Sequence, residues 1–387
     1  MREAQHVIVG AGAHGLALAS RLARRGESVL VLEAAAIAAG ASGGLGKRGV
    51  RANRRDIREL ALARLAQEIW PGLAEDLGGD TGYVRSGGLY LREAESSGFA
   101  SSLGASTVRA AHQNSAGIAT ELWDRQTTRS QLPTVTEDVL GASYCPHDGV
   151  ASHEATTHLY AQDAIRHGAE ILEASPVHSV RRDEAGRAVG LLLEDGTTVT
   201  AGSSVTLAAN AGTNGLLSRS QLDELPLWPV YPQAVLAKAA HPTQIRYLVA
   251  HDGRPLSVKI LEDDVVMLSG GWRGVRSEET GRGTVVPANV EGNLAQLART
   301  FPGLGELTLL EADASRAETA SLDGIPVIDT APKAPNLFIA AGWSGHGWAL
   351  VPAVAALLDQ WLDSGQKPTE LSPFSWTRFS RKEPTHV

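Results

Sequence analysis

The chain carries HVIVGAGAHGLALASRLARRGESVLVLE at residues 6–33, and this segment decides the fold. Residues 6–9 form a short apolar run that predicts a buried parallel strand. Three glycines with G-x-G-x-x-G spacing follow this run: Gly10, Gly12 and Gly15. Good helix formers predict a helix over 13–25, and a second apolar strand over 28–32 ends at Glu33. Strand, glycine turn, helix, strand and acid in this order predict a dinucleotide-binding unit.

Each residue of this unit has a physical role. Gly10 permits the tight turn after the strand, Gly12 lets the backbone approach a pyrophosphate, and Gly15 lets helix and strand pack closely. Glu33 is placed to accept hydrogen bonds from ribose hydroxyls, and an acid there disfavours the phosphorylated ribose of NADP. The segment therefore predicts FAD or NAD.

The composition is that of an ordinary globular chain of 387 residues, 43% hydrophobic and 20% charged. The net charge of −8 argues against a nucleic-acid partner and an anionic membrane surface. Cys145 is the only cysteine, which excludes an internal disulfide and a metal site built on several cysteines. No apolar stretch reaches about 18 residues, and the N-terminus reads as a strand, so we expect no membrane span, no signal peptide and a cytoplasmic location.

Strand and glycine patterns return later in the chain. Two short strands are predicted at 197–200 and 204–208, and the second runs into a turn that contains Gly212. A strand is predicted at 337–341, followed by a glycine-rich turn and a helix over 352–362. These patterns predict an α/β fold with a discontinuous Rossmann-type domain.

The remaining segments alternate apolar and polar residues as antiparallel strands do. We therefore expect a dinucleotide-binding domain made of residues 1–80, 146–220 and 321–387. An antiparallel-sheet α+β substrate domain, made of 81–145 and 221–320, would be inserted into it. The substrate site would lie at the junction of the two domains.

Five blocks of the sequence together resemble the D-amino acid oxidase-like flavoproteins, which include glycine oxidase and the sarcosine oxidases. They are GAGAHGLALA (10–19), VLVLE (29–33), AAGASGG (38–44), LDGIPVID (322–329) and NLFIAAGWSGHGWALVPAVAALL (336–358). The GAGAHG pattern of the first block looks most like the β subunit of heterotetrameric sarcosine oxidases. The resemblance covers nearly the whole chain and implies one FAD and no NAD.

The resemblance also implies which residues bind FAD. The pyrophosphate and adenosine ribose would be held by Gly10, Gly12, Ala13, His14, Gly15 and Glu33. Further contacts would come from Ala41, Ser42 and Gly43 on the flavin side, Val177 at the adenine and Gly212. The turn with Gly342, Gly345, His346 and Gly347 would pass beside the flavin ring, where backbone N–H groups stabilise negative charge on the reduced ring.

Catalytic roles follow from the same resemblance. In the segment KRGVRANRR (47–55), Arg48 would lie over the flavin ring and Arg51 would pair with a substrate carboxylate through two parallel hydrogen bonds. The alternative is a solvated basic face, and we expect Arg54 and Arg55 to be surface residues. His346 would orient the substrate or assist proton removal, or else serve only packing.

The sequence departs from the sarcosine oxidase pattern at three positions. Arg316 stands where those enzymes carry the cysteine that attaches FAD, so we expect noncovalent FAD. Ala349 replaces a lysine that helps bind carboxylate. Met267 replaces a lysine that helps oxygen react with the reduced flavin, and Lys259 is a possible substitute for it. The electron acceptor, oxygen or another carrier, therefore stays open.

The resemblance implies an enzyme that oxidises an amine or amino acid, namely a secondary amine, an imino acid or a D-amino acid. A hydride passes from the carbon next to nitrogen to flavin N5, which leaves an imine. Two alternatives stay open: oxidation of a larger, non-amino-acid biosynthetic substrate, and a flavin subunit active only in a heteromeric complex. The chain would accordingly form a homodimer or a heteromeric complex.

Overall fold

The computed structural model describes residues 2–43, 46–93 and 102–379. Gly44, the last residue of the AAGASGG block, lies outside the described residues. Within the described ranges, no helix combines the length and the apolar character that crossing a membrane requires.

Helices and strands follow one another along the whole described part of the chain. The helices are α1 Ala13–Arg24, α2 Leu60–Ile69, α3 Leu73–Leu77, α4 Leu103–Ser115, α5 Arg125–Gln131, α6 His153–Arg166, α7 Thr213–Arg219, α8 Pro287–Thr300 and α9 Val351–Ser364. The strands are β1 Arg2–Val9, β2 Val29–Leu32, β3 Lys47–Val50, β4 Gly88–Glu93, β5 Glu121–Asp124, β6 Val139–Cys145, β7 Gly149–Ser152, β8 Glu170–Leu172, β9 Val177–Arg182, β10 Ala188–Leu193, β11 Thr198–Leu207, β12 Leu227–Val230, β13 Ala234–Ala239, β14 Leu248–His251, β15 Ser257–Ile260, β16 Val265–Ser269, β17 Val275–Arg276, β18 Gly283–Thr284, β19 Leu307–Asp313, β20 Glu318–Ser321, β21 Val327–Ala331 and β22 Ala334–Ala341.

The first sheet has eight strands, and its main path is β21-β22-β11-β1-β2-β8. The five strands β8, β2, β1, β11 and β22 pair with one another in parallel. The strand β21 pairs antiparallel with β22, and β10 pairs antiparallel with both β11 and β9. Helices α6 and α9 pack against α1. This arrangement is the expected Rossmann-type half of an α/β fold.

Both faces of the first sheet are buried, which explains its nearly continuous apolar strands. Ile8 belongs to the core on the side of α1, α6 and α9, while its neighbours Val7 and Val9 belong to the core on the side of β9 and β10. Successive side chains of a strand point to opposite faces, so one short run serves both layers.

The second sheet also has eight strands, in the order β19-β13-β16-β15-β14-β4-β6-β5. All its described strands come from residues 88–145 and 234–313, and only the β14–β4 pair is parallel. This distribution of the strands along the chain supports a substrate domain made of two segments that are inserted into the dinucleotide-binding domain. The domain boundaries themselves stay a prediction.

One sequence prediction about the first sheet is wrong. The strands predicted at 197–200 and 204–208 form the single strand β11, Thr198–Leu207. Its first half pairs with β10 and its second half lies between β1 and β22. Ala201, Gly202 and Ser203 interrupt the apolar pattern, and the register with β1 shifts between Ala4 and His6 at this point, but the strand continues through the interruption.

Candidate active site

One cavity of about 1020 Å³ lies where the two sheets face each other. On one side it is lined by residues that follow the carboxyl ends of β1, β2, β11 and β22, and on the other by residues of β4, β14, β15 and β16. Ligands of open α/β sheets bind at this end of the strands. The cavity is therefore the candidate active site.

Most of the predicted site residues line this cavity. They are Gly10, Gly12, Ala13, His14, Glu33, Ala41, Ser42, Gly43, Arg48, Arg51, Val177, Gly212, Gly345, His346 and Gly347. Gly15 and Gly342 do not line it. A Cβ at Gly15 would lie 2.1 Å from the carbonyl oxygen of Gly10, so a side chain at this position would collide with the end of β1.

The first βα turn fits an anionic dinucleotide. Gly12 caps the N-terminus of α1 without any side-chain hydrogen bond, and a Cβ placed on it would meet no protein atom within 4 Å. Glu33 fixes the turn because its carboxylate accepts hydrogen bonds from the N–H groups of Ala11 at 2.8 Å and Ala35 at 2.9 Å. An uncapped helix N-terminus that opens onto a cavity suits a pyrophosphate, and a carboxylate at the end of β2 suits a ribose.

His14 joins the two ends of the chain. Its imidazole stacks on Trp343, with ring centroids 3.7 Å apart and planes 2° from parallel. Burial lowers the pKa of His14 to about 3, so the ring is neutral at physiological pH. Trp343 follows β22, and the stack therefore holds the glycine-rich turn against the dinucleotide turn.

The glycine-rich turn after β22 is built on left-handed backbone. Gly342, Ser344 and Gly345 have φ angles of 81°, 53° and 85°. The N–H of Ser344 donates to Thr319 at 2.8 Å and that of His346 donates to Trp343 at 3.0 Å. Because these two N–H groups already donate hydrogen bonds within the protein, an N–H group of this turn that binds a ligand must belong to another residue.

Arg48 and Arg51 enter the cavity from β3 and from the residue after it. Arg48 donates to the carbonyl of Gly43 at 2.6 Å, and burial together with Arg316 lowers its pKa to about 10. Arg51 donates to the hydroxyl of Tyr90, and its guanidinium carbon lies 4.9 Å from the centre of that ring. Both residues are cations at physiological pH.

The prediction that Arg54 and Arg55 lie on the surface is wrong. Arg55 is 5% exposed and donates to the carbonyls of Arg51 at 2.8 Å and His346 at 2.9 Å. Arg54 pairs with Asp252 and lies 5.1 Å from the ring centre of Tyr90. A run of cations is usually solvated, but here long-range packing turns it inward.

Asp148 holds the segment that carries these arginines. Its carboxylate accepts hydrogen bonds from the N–H groups of Ala52 at 2.7 Å and Asn53 at 3.2 Å, and from Gln67 at 2.9 Å. Burial raises the pKa of Asp148 to about 6. These bonds anchor the backbone directly after Arg51.

His346 lines the cavity next to a buried carboxylate. Its Nε2 lies 3.6 Å from Oε2 of Glu59, which is fully buried. Burial, with Arg55 and Arg51 nearby, lowers the pKa of the His346 imidazole well below its ordinary value. A neutral imidazole is able to accept a proton.

Lys259 also reaches the cavity, from β15. It is 5% exposed, and its ammonium group donates to Ser269 at 2.5 Å. On the neighbouring strand β16, Met267 is its direct cross-strand partner. Burial, with Arg48 and Arg51 nearby, lowers the pKa of Lys259 to about 7. Lys259 thus lies next to Met267, the residue that stands where the sarcosine oxidases carry a lysine.

Several residues of this site were not predicted from the sequence. Tyr90 and Glu59 carry no local signal, since one lies within an alternating strand and the other leads into a helix. The turn Pro146-His147-Asp148-Gly149 is a visible turn signal, but it does not show that Asp148 bonds to residues about 95 positions earlier. Only the tertiary contacts reveal these roles.

The chain is similar to known flavoenzymes. A family model described as "FAD dependent oxidoreductase" (DAO) matches residues 5–361. Sarcosine oxidase subunit beta of Rhizobium meliloti (strain 1021) is 26% identical over 385 residues, which cover 97% of this chain and 88% of that protein. Glycine oxidase of Geobacillus kaustophilus (strain HTA426) is 26% identical over 390 residues, which cover 97% of both proteins.

The fold is shared with solved structures. The crystal structure of L-proline dehydrogenase from P. horikoshii superposes with a TM-score of 0.87 at 23% sequence identity and covers 98% of both chains. The predicted α/β fold class is confirmed by this similarity together with the observed sheets.

Proposed function

Because this chain belongs to the DAO family of FAD-dependent oxidoreductases, we propose that it oxidises a secondary amine, an imino acid or a D-amino acid to an imine. Bound FAD supplies the chemistry by accepting a hydride at N5 from the carbon next to nitrogen. The observation that carries the choice of an amino-acid substrate is the half-buried Arg51 in the cavity that also contains the dinucleotide turn and His346.

We expect Arg51 to bind the substrate carboxylate. Within the described residues no carboxylate lies in ion-pair contact with it, and its guanidinium donates to the hydroxyl of Tyr90. A planar guanidinium binds a carboxylate through two parallel hydrogen bonds, and this contact also fixes the orientation of the ligand. The contact with the ring of Tyr90 would hold the guanidinium in place for this role.

His346 would take the proton from the substrate amine. The carbon–hydrogen bond next to nitrogen breaks more readily when the nitrogen lone pair is free, whereas an amine in water is mostly protonated at neutral pH. Burial keeps His346 neutral, so it is able to act as the base. Arg51 and His346 together would therefore bind one end of the substrate and deprotonate the other.

FAD would be held noncovalently. Arg316, which stands where a linking cysteine would be, donates to the carbonyl of Ala41 at 3.2 Å. Cys145 is fully buried and does not line the cavity. The uncapped N-terminus of α1 would hold the pyrophosphate, and Glu33 would hold the ribose.

An anaerobic flavin-reduction screen tests this proposal. The purified protein is mixed without oxygen with glycine derivatives, cyclic imino acids and D-amino acids, and bleaching of the yellow flavin absorbance is followed. We expect bleaching by at least one of these classes. Reduction by none of them, together with reduction by a compound that has no amine, would favour the larger biosynthetic substrate instead.

A second candidate is a subunit that needs a partner chain for activity. It is supported by the relative named sarcosine oxidase subunit beta, whose length this chain covers to 88%. The glycine oxidase relative supports the first candidate. Size-exclusion chromatography combined with the reduction screen separates the two, because a partner-dependent subunit would bind FAD and resist reduction until the partner is added.

A further inference from the structure

A carboxylate without hydrogen bonds lies directly behind the cavity histidine. Glu59 is fully buried, and within the described residues neither of its carboxylate oxygens has a hydrogen-bond partner. Its Oε2 lies 3.6 Å from Nε2 of His346 and 3.9 Å from Nη1 of Arg55. A buried carboxylate is costly unless it is hydrogen-bonded or paired, so such a position calls for a functional explanation.

The backbones of both residues are anchored by hydrogen bonds. Glu59 ends the short helical turn Ile57–Glu59 and leads directly into α2, and the turn is capped by Asp56, which accepts from the N–H of Arg58. The backbone of His346 is held by its own N–H bond to Trp343 at 3.0 Å and by the Arg55 guanidinium on its carbonyl at 2.9 Å. The anchored backbones therefore bring the two side chains to a separation of 3.6 Å.

The surroundings of the two groups determine their charges. Burial raises the pKa of Glu59, which Arg55 opposes, and burial with Arg55 and Arg51 lowers the pKa of His346. The charged groups that act on this pair are Arg51, Arg55, Asp56 and Arg58. The two arginines nearest to His346 disfavour an imidazolium, and Glu59 is the adjacent group that favours it.

We infer that Glu59 is a positioning residue, which orients the His346 imidazole and stabilises the imidazolium formed when His346 takes the proton of the substrate ammonium. The role rests on the proposed function. The proton leaves the substrate nitrogen and binds a ring nitrogen of His346, and the nitrogen lone pair becomes free before the hydride departs. Contacts of this kind are often long without substrate and shorten in the complex, so a 3.6 Å separation suits the role.

The test is Glu59→Gln, which keeps the shape of the buried side chain and removes its charge. The rate of anaerobic flavin reduction by an active amine is measured from about pH 6 to pH 10, a range that spans the titration of an ordinary amine. We expect a loss on the order of 10- to 100-fold at neutral pH, the usual range for a proton-transfer group. The loss should shrink at high pH, where the substrate amine deprotonates by itself.

Matched variants separate this role from a structural one. Glu68→Gln removes a carboxylate from α2, the helix that follows Glu59, but its side chain is 54% exposed and pairs with Arg64, so the rate should not change. His346→Gln should lose as much rate as Glu59→Gln, and the double variant should lose little more, since the two residues act as one unit. Glu59→Asp, which keeps the charge at a shorter reach, should be intermediate.

A second measurement does not depend on any substrate. NMR titration of the His346 imidazole, assigned through His346→Gln among the 12 histidines, compares the wild type with Glu59→Gln. We expect the histidine to protonate at a pH lower by about one unit or more in the variant, because the neighbouring negative charge is gone. Equal titration in both proteins, or a wild-type rate and pH profile in Glu59→Gln, would overturn the inference. Failure of every amine to reduce the flavin would overturn the proposed function instead.

Discussion

At the scale of single residues, burial changes the charges of the cavity. Lys259 has a pKa of about 7 instead of 10.5, because its ammonium group is buried beside two arginines; it donates a hydrogen bond to a serine hydroxyl. Because burial disfavours the charged form, the folded protein is least stable at a pH at which this lysine is protonated. The free energy of unfolding should therefore depend on pH in a defined direction.

We expect Lys259→Met to show this dependence. Between about pH 7 and pH 10.5 the unfolded chain keeps the lysine proton and the folded chain does not, so the wild-type free energy of unfolding rises with pH by up to about 1.4 kcal/mol per unit. The methionine variant lacks this contribution. Urea unfolding of flavin-free protein from about pH 6 to pH 9, a range that spans this titration, should show the variant to be more stable, by a margin that narrows as pH rises. A margin that is constant with pH would contradict the buried, titrating lysine.

Arg51→Ala tests the carboxylate contact. Loss of charge-assisted hydrogen bonds costs about 1.5–3 kcal/mol, so KM for an amino-acid substrate should rise roughly 10- to 100-fold. Arg51→Lys keeps the charge but not the fork and should lie between the two. The matched control is an amine without a carboxylate, whose rate of flavin reduction should be the same in all three proteins. Unchanged KM for the amino acid would remove the assigned role.

At the scale of elements, the turn between β1 and α1 uses its glycines for different purposes. A Cβ at Gly15 would lie 2.1 Å from the carbonyl oxygen of Gly10 and 3.3 Å from Ile8 Cγ2, whereas a Cβ at Gly12 would meet no protein atom within 4 Å. One glycine allows helix and strand to pack, and the other keeps the cavity open to a ligand.

Two substitutions separate these purposes. Gly15→Ala should lower the free energy of unfolding by about 1–3 kcal/mol even without FAD, because helix and strand must move apart. Gly12→Ala should change it by less than about 1 kcal/mol and instead weaken FAD binding. Chemical unfolding of the flavin-free proteins and titration with FAD measure both quantities. Equal losses of stability in the two variants would show that the turn does not divide its roles in this way.

At the scale of the whole molecule, the site needs both ends of the chain. The dinucleotide turn lies near the N-terminus and the turn with His346 lies more than 300 residues later, yet His14 stacks on Trp343 and Arg55 donates to the carbonyl of His346. The second sheet supplies Tyr90 and Lys259 to the same cavity. A ligand that contacts both regions should therefore stabilise the folded molecule as a unit.

Removal of FAD tests this expectation. FAD at about 100 times its dissociation constant should stabilise the protein by about 2.7 kcal/mol, and the midpoint of thermal unfolding should rise with FAD concentration. Because no cysteine is placed to link the flavin, acid precipitation should release all yellow colour into the supernatant. Flavin that stays with the precipitated protein would show a covalent bond and contradict this prediction.

The sequence by itself determined the dinucleotide unit, the α/β class and the buried strands, because glycine spacing, apolar periodicity and helix formers act over short stretches of chain. Tertiary structure alone decided where the cations point. The sequence predicts that Arg54 and Arg55 are solvated. In the structure, the residues just before them, Ala52 and Asn53, donate hydrogen bonds to Asp148, which lies in a turn far along the chain. Glu59 becomes a neighbour of His346 only because α2 packs against the residues that follow the glycine-rich turn. Local pattern fixes backbone conformation, whereas the charge and partners of a buried side chain depend on contacts between residues far apart in the chain.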